Sequence, residues 1–416
     1  MLFHNEALRL LRRTVQVMQR NTLHLAFCFE WNKDGNFGRG RIIPLSRGRH
    51  YRTFQLFVLT IITMIEPFLA WRCYVLVKTT NLDNMENLVL VCFTFAATFW
   101  YWIAVPFLYM LGCKEGVAEV AGIFEAILKM ERDLQYGTIL QNSGIKAGPR
   151  VISATASIRS SLRLIAFSFE YLVPTVCIGI SLPTYNPLYV GILSTLNLTD
   201  DNFPLLIKIT LCIICFLTAN IIIAVYQVIL YLNAYGISAL YLWTLYISPS
   251  DGVLKGTLSF ASSFKIYKSL RVMTLILGES ARRQVSTCLH HFYAVAFCTI
   301  SLYYTILQFT SETKVSLLVV SLCLNLILVG FINELFAICF MAKSSTASKG
   351  FVREMVEIHG RNPYRRRVLK AILPNSINLE FVNSVKTMQN GIEMDYFLNF
   401  LGRITDNTIN LLLARE

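Results

Sequence analysis

Charge is scarce in this chain. Asp, Glu, Lys and Arg make up 15% of its 416 residues, against about 25% in ordinary soluble domains. A normal water-facing surface is therefore excluded for much of the molecule. Enzyme signatures are missing as well. There is no Gly-rich phosphate loop and no Gly-x-Ser-x-Gly, so neither an enzyme nor a cofactor is expected. His290 and His291 are adjacent, which is not the four-residue spacing that puts a metal-binding pair on one helix face. No apolar stretch precedes Phe54. A cleavable signal peptide is thus not expected, and the first apolar run serves as the insertion signal. No repeat period or low-complexity tract is visible.

What the chain has in excess is apolar sequence. Apolar residues reach 55% and the mean hydropathy is +0.52, which calls for an apolar solvent, the bilayer. Six runs are long enough to cross it as helices: 54–76, 88–112, 163–182, 205–234, 290–309 and 315–342. A seventh, 392–414, is interrupted by polar residues. Most of the 11 cysteines fall inside these runs, and none falls in an expected outer loop, so a disulfide framework is not expected. Cys212 and Cys215 lie within an apolar run without a second pair, which fits helix packing.

The formal net charge is +13. Counted between the apolar runs, Lys plus Arg number 10, 1, 6, 0, 6, 1 and 9. Positive charge stays cytoplasmic, so the reading is an all-α polytopic membrane protein with seven transmembrane helices, a cytoplasmic N-terminus and an extracellular C-terminus. Residues 1–53 form a basic cytoplasmic segment. Residues 54–342 hold spans 1–6 with cytoplasmic helical extensions, 343–391 an anchor segment, and 392–416 the last helix. The sequon Asn197-Leu198-Thr199 falls outside in this topology. Helical patterns at Val117–Leu134 and Phe264–Leu277 suggest an inner helical layer. Basic clusters such as Arg365-Arg366-Arg367 are juxtamembrane. They suit anionic headgroups better than nucleic acid.

A cytoplasmic N-terminus reverses the G-protein-coupled receptor topology, and neither Asp-Arg-Tyr at span 3 nor Asn-Pro-x-x-Tyr at span 7 is present. The closing segment runs Gly391-Ile392-Glu393-Met394-Asp395, Phe400-Leu401-Gly402, then Thr405 to Asn410 and Leu411 to Ala414. With the seven runs, basic N-terminus and long second inner loop, this framework resembles the arthropod gustatory and odorant receptor family. Where that family has Thr-Tyr and Gln-Phe, this chain has Asp406-Asn407 and Leu413-Ala414, so a divergent gustatory receptor-like member is the nearest description. The resemblance implies a tetrameric, non-selective cation channel gated by a small-molecule tastant or odorant. It implies that the last helix lines the pore, that the inner ends of helices 4 to 7 join subunits, and that a ligand pocket lies in the outer half of each bundle. Expected partners are a small-molecule ligand, membrane lipid and related subunits in a homo- or hetero-tetramer.

The last run carries Asp395, Asn399, Arg403, Asp406, Asn407 and Asn410 at steps of three or four, which makes one helical stripe. Intramembrane polar stripes face a bundle interior or water. In a four-fold assembly Asn399, Arg403, Asp406, Asn407 and Asn410 become pore rings, and Asp406 is the ring that favours cations. Arg403 opposes cations unless it pairs with Asp406 or Asn399. Packing of the stripe against spans 5 and 6, or an interfacial helix, stays open.

The expected ligand pocket draws on Phe95, Thr98, Glu170, Tyr171, Tyr303, Tyr304, Ser321 and Asn325, an aromatic set with a few polar groups. Packing or interface anchoring is the plainer role for each aromatic. Thr218 and Asn220 mark the middle of span 4. Glu66, Arg72, Lys208 and Glu334 are the other ionisable groups in spans. Arg72 and Lys208 are expected to reach the outer boundary, and Glu334 to pair with the inner layer. A secondary transporter, a non-conducting scaffold or modulatory subunit, and an atypical G-protein-coupled receptor are the alternatives. The topology makes one early prediction. Asn197→Gln abolishes a glycosidase-sensitive mobility shift in insect-cell membranes. A wild-type chain without that shift contradicts the outer placement of Asn197.

Overall fold

A computed structural model describes residues 3–32, 41–45, 47–79, 85–136, 148–196, 198, 200–249, 259–283, 286–310, 317–375 and 395–414. Asn197 and the segment that opens the last run lie outside the described residues. Almost everything described is helical. The helices are α1 (Phe3–Asn21), α2 (Arg49–Thr79), α3 (Met85–Gly112), α4 (Lys114–Tyr136), α5 (Pro149–Ser181), α6 (Pro187–Leu196), α7 (Leu205–Tyr246), α8 (Phe260–Arg283), α9 (Ser286–Thr310), α10 (Leu317–His359), α11 (Pro363–Lys370) and α12 (Asp395–Leu413). Each of the seven apolar runs falls largely within a helix. Four helices are long and apolar enough to cross a membrane: α2, α5, α7 and the Cys323–His359 part of α10. The chain is thus a predominantly helical membrane protein of the all-α class.

The helices are longer than a bilayer requires. α7 has 42 residues and α10 has 43, so each extends about 60 Å at 1.5 Å per residue. The hydrocarbon layer is about 30 Å thick. The surplus forms a separate helical layer. In α7 the change of surroundings is visible along one helix. Leu205, Leu206, Ile207, Ile209 and Ile213 are exposed. From Thr218 to Thr244 nearly every residue is buried, because α1, α3, α4, α5, α8 and α10 all pack on it. A helix that is apolar all round is a buried one. Gly236 lets α8 come close. A Cβ at that position would meet Leu277 Cδ1 at 2.7 Å.

Hydrogen bonds lock this layer at its end. Tyr267 of α8 shares a 2.7 Å hydrogen bond with Ser348 of α10, whose Oγ also accepts from the Asn375 backbone N–H at 2.6 Å. Arg271 donates to the Pro374 carbonyl at 2.9 Å, and Ser248 to Glu354 at 2.6 Å. Burial pushes the Tyr267 hydroxyl pKa up.

Prolines shape two of the spanning helices. Pro67 and Pro174 cannot donate to the preceding turn. Upstream of each, the helix widens into a π turn, at Ile61–Ile65 in α2 and Ser168–Leu172 in α5. The second turn carries Glu170.

The basic N-terminal segment holds more than charge. α1 is amphipathic and packs Leu10, Leu11, Val15 and Met18 against α5 and α7. It is followed by a two-stranded antiparallel hairpin, β1 (Phe29–Asn32) and β2 (Arg41–Pro44), with Phe29 opposite Pro44. β2 packs on α4.

At the other face, Asn186 caps α6. Its Oδ1 accepts from the N–H groups of Leu188 and Tyr189 at 3.0 and 3.2 Å, and its Nδ2 donates to the Leu211 carbonyl at 3.2 Å. Tyr189 donates to Asp200, and Lys208 reaches the same carboxylate at 2.6 Å. The bond from Lys208, then the one from Tyr189, hold the Asp200 carboxyl below its usual range.

Asn186 has no exposed surface. Asn186→Ala therefore removes a cap and leaves the N–H groups of buried Leu188 and Tyr189 without their acceptor, a loss of about 1–2 kcal/mol. A lower Tm of the purified full chain is expected, and an unchanged Tm contradicts the capping role.

Candidate functional site

α12 separates its residues by face. Phe397, Phe400, Ile404 and Thr408 recur at three- and four-residue steps and are buried, so they dock the helix on α9 and α10. Phe400 is fully buried, with the Phe397 ring 6.0 Å from it. Phe331 of α10 meets Phe397 edge to face at 5.6 Å. Asn399, Arg403, Asp406, Asn407 and Asn410 lie on the remaining surface, and all five are exposed. With 19 residues, α12 is about 28 Å long, close to the hydrocarbon thickness. It is not one of the four strongly apolar helices because these polar residues lower its hydropathy, although Leu398, Ile409, Leu411 and Leu413 are exposed on it as well.

The residues proposed for a ligand pocket divide into groups. α9 packs against both α3 and α10. That places Thr98, Tyr303, Tyr304 and Asn325 on neighbouring elements, with the two tyrosine rings edge to face at 5.6 Å. Thr98 donates to Thr94 O at 2.7 Å, and Asn325 to Ser321 O at 2.9 Å, so both polar groups are partly spent on their own helices. Phe95, Tyr171 and Ser321 are exposed and point away from their own bundle.

Glu170 is elsewhere. The π turn of α5 aims it at α1, where it forms ion pairs with Arg13 and with Arg20, the latter at 3.6 Å. The backbone explains the arrangement. Pro174 has no N–H, so the carbonyls one turn before it lack their helical donor. Arg20 donates to Glu170 O at 3.2 Å and Asn21 to Phe169 O at 3.4 Å. The end of α1 thus completes a hydrogen-bond ladder that α5 cannot close alone.

The remaining intramembrane groups are mostly structural. Arg72 is buried, and its Nε donates to Ser194 Oγ of α6 at 3.0 Å, three residues before the Asn197 sequon. Lys208 is the Asp200 partner described above. Thr218 bonds the Tyr101 hydroxyl at 3.0 Å, and Asn220 donates to Phe216 O at 2.8 Å. Glu334 is buried in α10. Glu66 has one carboxylate oxygen, Oε2, buried without a hydrogen-bond partner among the described residues. The side chains of His290 and His291 lie outside the described ones. No group of three His, Cys, Asp or Glu suited to a metal occurs among the described residues.

Sequence reading missed the arginine cluster on α1. Its signal was present in Arg9, Arg13, Gln16 and Arg20, spaced four, three and four. No family model matches this chain, and a search of curated proteins finds no match either.

Proposed function

We propose that the chain is a subunit of a ligand-gated, weakly selective cation channel in the plasma membrane, of the arthropod chemoreceptor type. In this reading seven helices cross the membrane with the N-terminus inside, and four subunits place α12 around a central pore. A small tastant or odorant in the outer half of the bundle shifts α9 and α10, which carry α12 with them and widen the constriction.

The observation that supports this most is the division of α12. One face is committed to α9 and α10 through Phe397, Phe400, Ile404 and Thr408. The other presents an acid, an arginine and three amides to the outside. Such groups are costly against lipid and settle where water or a partner helix meets them. Four-fold symmetry turns the face into rings, with Asp406 as the cation-selective one. Arg403 sits one turn before Asp406 on the same exposed face, and among the described residues no ion pair joins the two.

The second reading is a non-conducting modulatory subunit. An arginine on the same exposed face favours it.

Whole-cell currents separate the two. Cells express the chain alone or with a related receptor, and sugars, bitter compounds and volatiles are applied. The channel reading expects a ligand-evoked cation current, with Asp406→Ala lowering calcium over sodium permeability by about twofold or more. A current whose permeation ignores Asp406→Ala removes α12 from the pore. No current in any pairing, with the chain confirmed at the cell surface, favours the modulatory subunit.

A further inference from the structure

The arginine face of α1 is only partly used by the fold, through Arg13 and Arg20. The helix spends Leu10, Leu11, Val15 and Met18 on packing and turns Arg9, Arg13, Gln16 and Arg20 outward on one side, with Arg12 beside them. Together with Glu170 these residues line a cavity of about 440 Å³. Four guanidinium groups face a single carboxylate there. Glu170 already engages Arg13 and Arg20. Arg9 and Arg12 have no acidic partner in the cavity lining.

Guanidinium groups bind phosphate oxygens through paired N–H donors. A cavity with several of them, of a size that holds a small polar ring, calls for a ligand with more than one phosphate. A second feature distinguishes a lipid from a free phosphate ester. On α5, flanking Glu170, the side chains of Leu164, Phe167 and Tyr171 are 44%, 48% and 51% exposed. Their spacing of three and four residues puts them on one face of the helix. The Phe167 and Tyr171 rings lie 5.1 Å apart. An arginine cavity that includes Glu170, with an uncovered apolar stripe on the same helix as Glu170, suits an amphiphile, with its headgroup on α1 and its chain along α5.

We infer that α1 and the π turn of α5 form a binding site for a membrane lipid whose headgroup carries several phosphates, such as a phosphorylated inositol. The inference rests on the cytoplasmic placement of the N-terminus, where such anionic lipids reside. It does not depend on ion conduction. Arg9 and Arg12 take the ring phosphates, and Arg13 and Arg20 are shared between ligand and Glu170. A bound headgroup thereby ties α1 to the proline-generated gap in α5. Through α7, which α1 and α10 both touch, the site reaches the helix that supports α12.

The test uses the purified full chain in detergent, with dioctanoyl phosphatidylinositol 4,5-bisphosphate as the probe and binding read by native mass spectrometry and Tm. Saturable binding is expected. Arg9→Gln with Arg12→Gln weakens it about tenfold. Gln16→Glu, which places an acid in the cavity, weakens it in the same direction. A control that removes three exposed charges elsewhere, Lys265→Gln with Arg353→Gln and Arg361→Gln, leaves it within about twofold. Equal loss in the control, or equal binding of dioctanoyl phosphatidylinositol without ring phosphates, overturns the site. Inositol 1,4,5-trisphosphate binding as tightly as the lipid overturns the membrane source, because the apolar stripe then contributes nothing.

Discussion

The structure depends on one helix that meets two surroundings. The first third of α7 exposes Leu205, Leu206, Ile207, Ile209 and Ile213, side chains that only an apolar solvent tolerates in such density. Beyond Thr218 the same helix is enclosed by its own chain. A buried segment of this length must satisfy its backbone internally, and an uninterrupted α-helix does so. α1, α3, α4, α5, α8 and α10 then take their positions from it. Gly236 sets how closely α8 approaches. α10 in turn carries α9 and α12, so the polar face of α12 is positioned at second hand by α7.

Where the helices are not continuous, the chain repairs them from a distance. Pro174 opens a π turn in α5, and residues 148 to 150 positions earlier fill it, as Asn21 and Arg20 donate to Phe169 O and Glu170 O. This repair gives α1 its seat. It also gathers the arginines around Glu170, so a backbone defect, a salt-bridge cluster and a candidate anion site share one cause.

Much of the architecture was legible because long apolar runs leave little choice. The run from Leu205 onward is too long and too apolar to be anything but a buried or spanning helix. The α12 stripe was legible too, since steps of three and four from Asn399 to Asn410 define a face whatever surrounds it. Charge drew attention away from the N-terminus. The alternation of Leu10, Leu11, Val15 and Met18 with Arg9, Arg13 and Arg20 marks an amphipathic helix, yet the segment read first as a topogenic cluster. The hairpin was hidden because four-residue strands carry almost no period. The surroundings of Glu170 were not legible at all. Its partners lie some 150 residues away, and only the packing of α1 on α5 brings them together. The partner of Arg72 was not legible for the same reason, because Ser194 is 122 positions distant.

The central claim is that α12 docks on one face and offers the other to water. Single cysteines along α12, labelled on intact cells with a membrane-impermeant thiol reagent and compared with the unsubstituted chain, test it most directly. The account predicts labelling at Arg403→Cys, Asp406→Cys, Asn407→Cys and Asn410→Cys, with protection at Phe400→Cys, Ile404→Cys and Thr408→Cys. Uniform protection, or labelling on the Phe400 face, contradicts it.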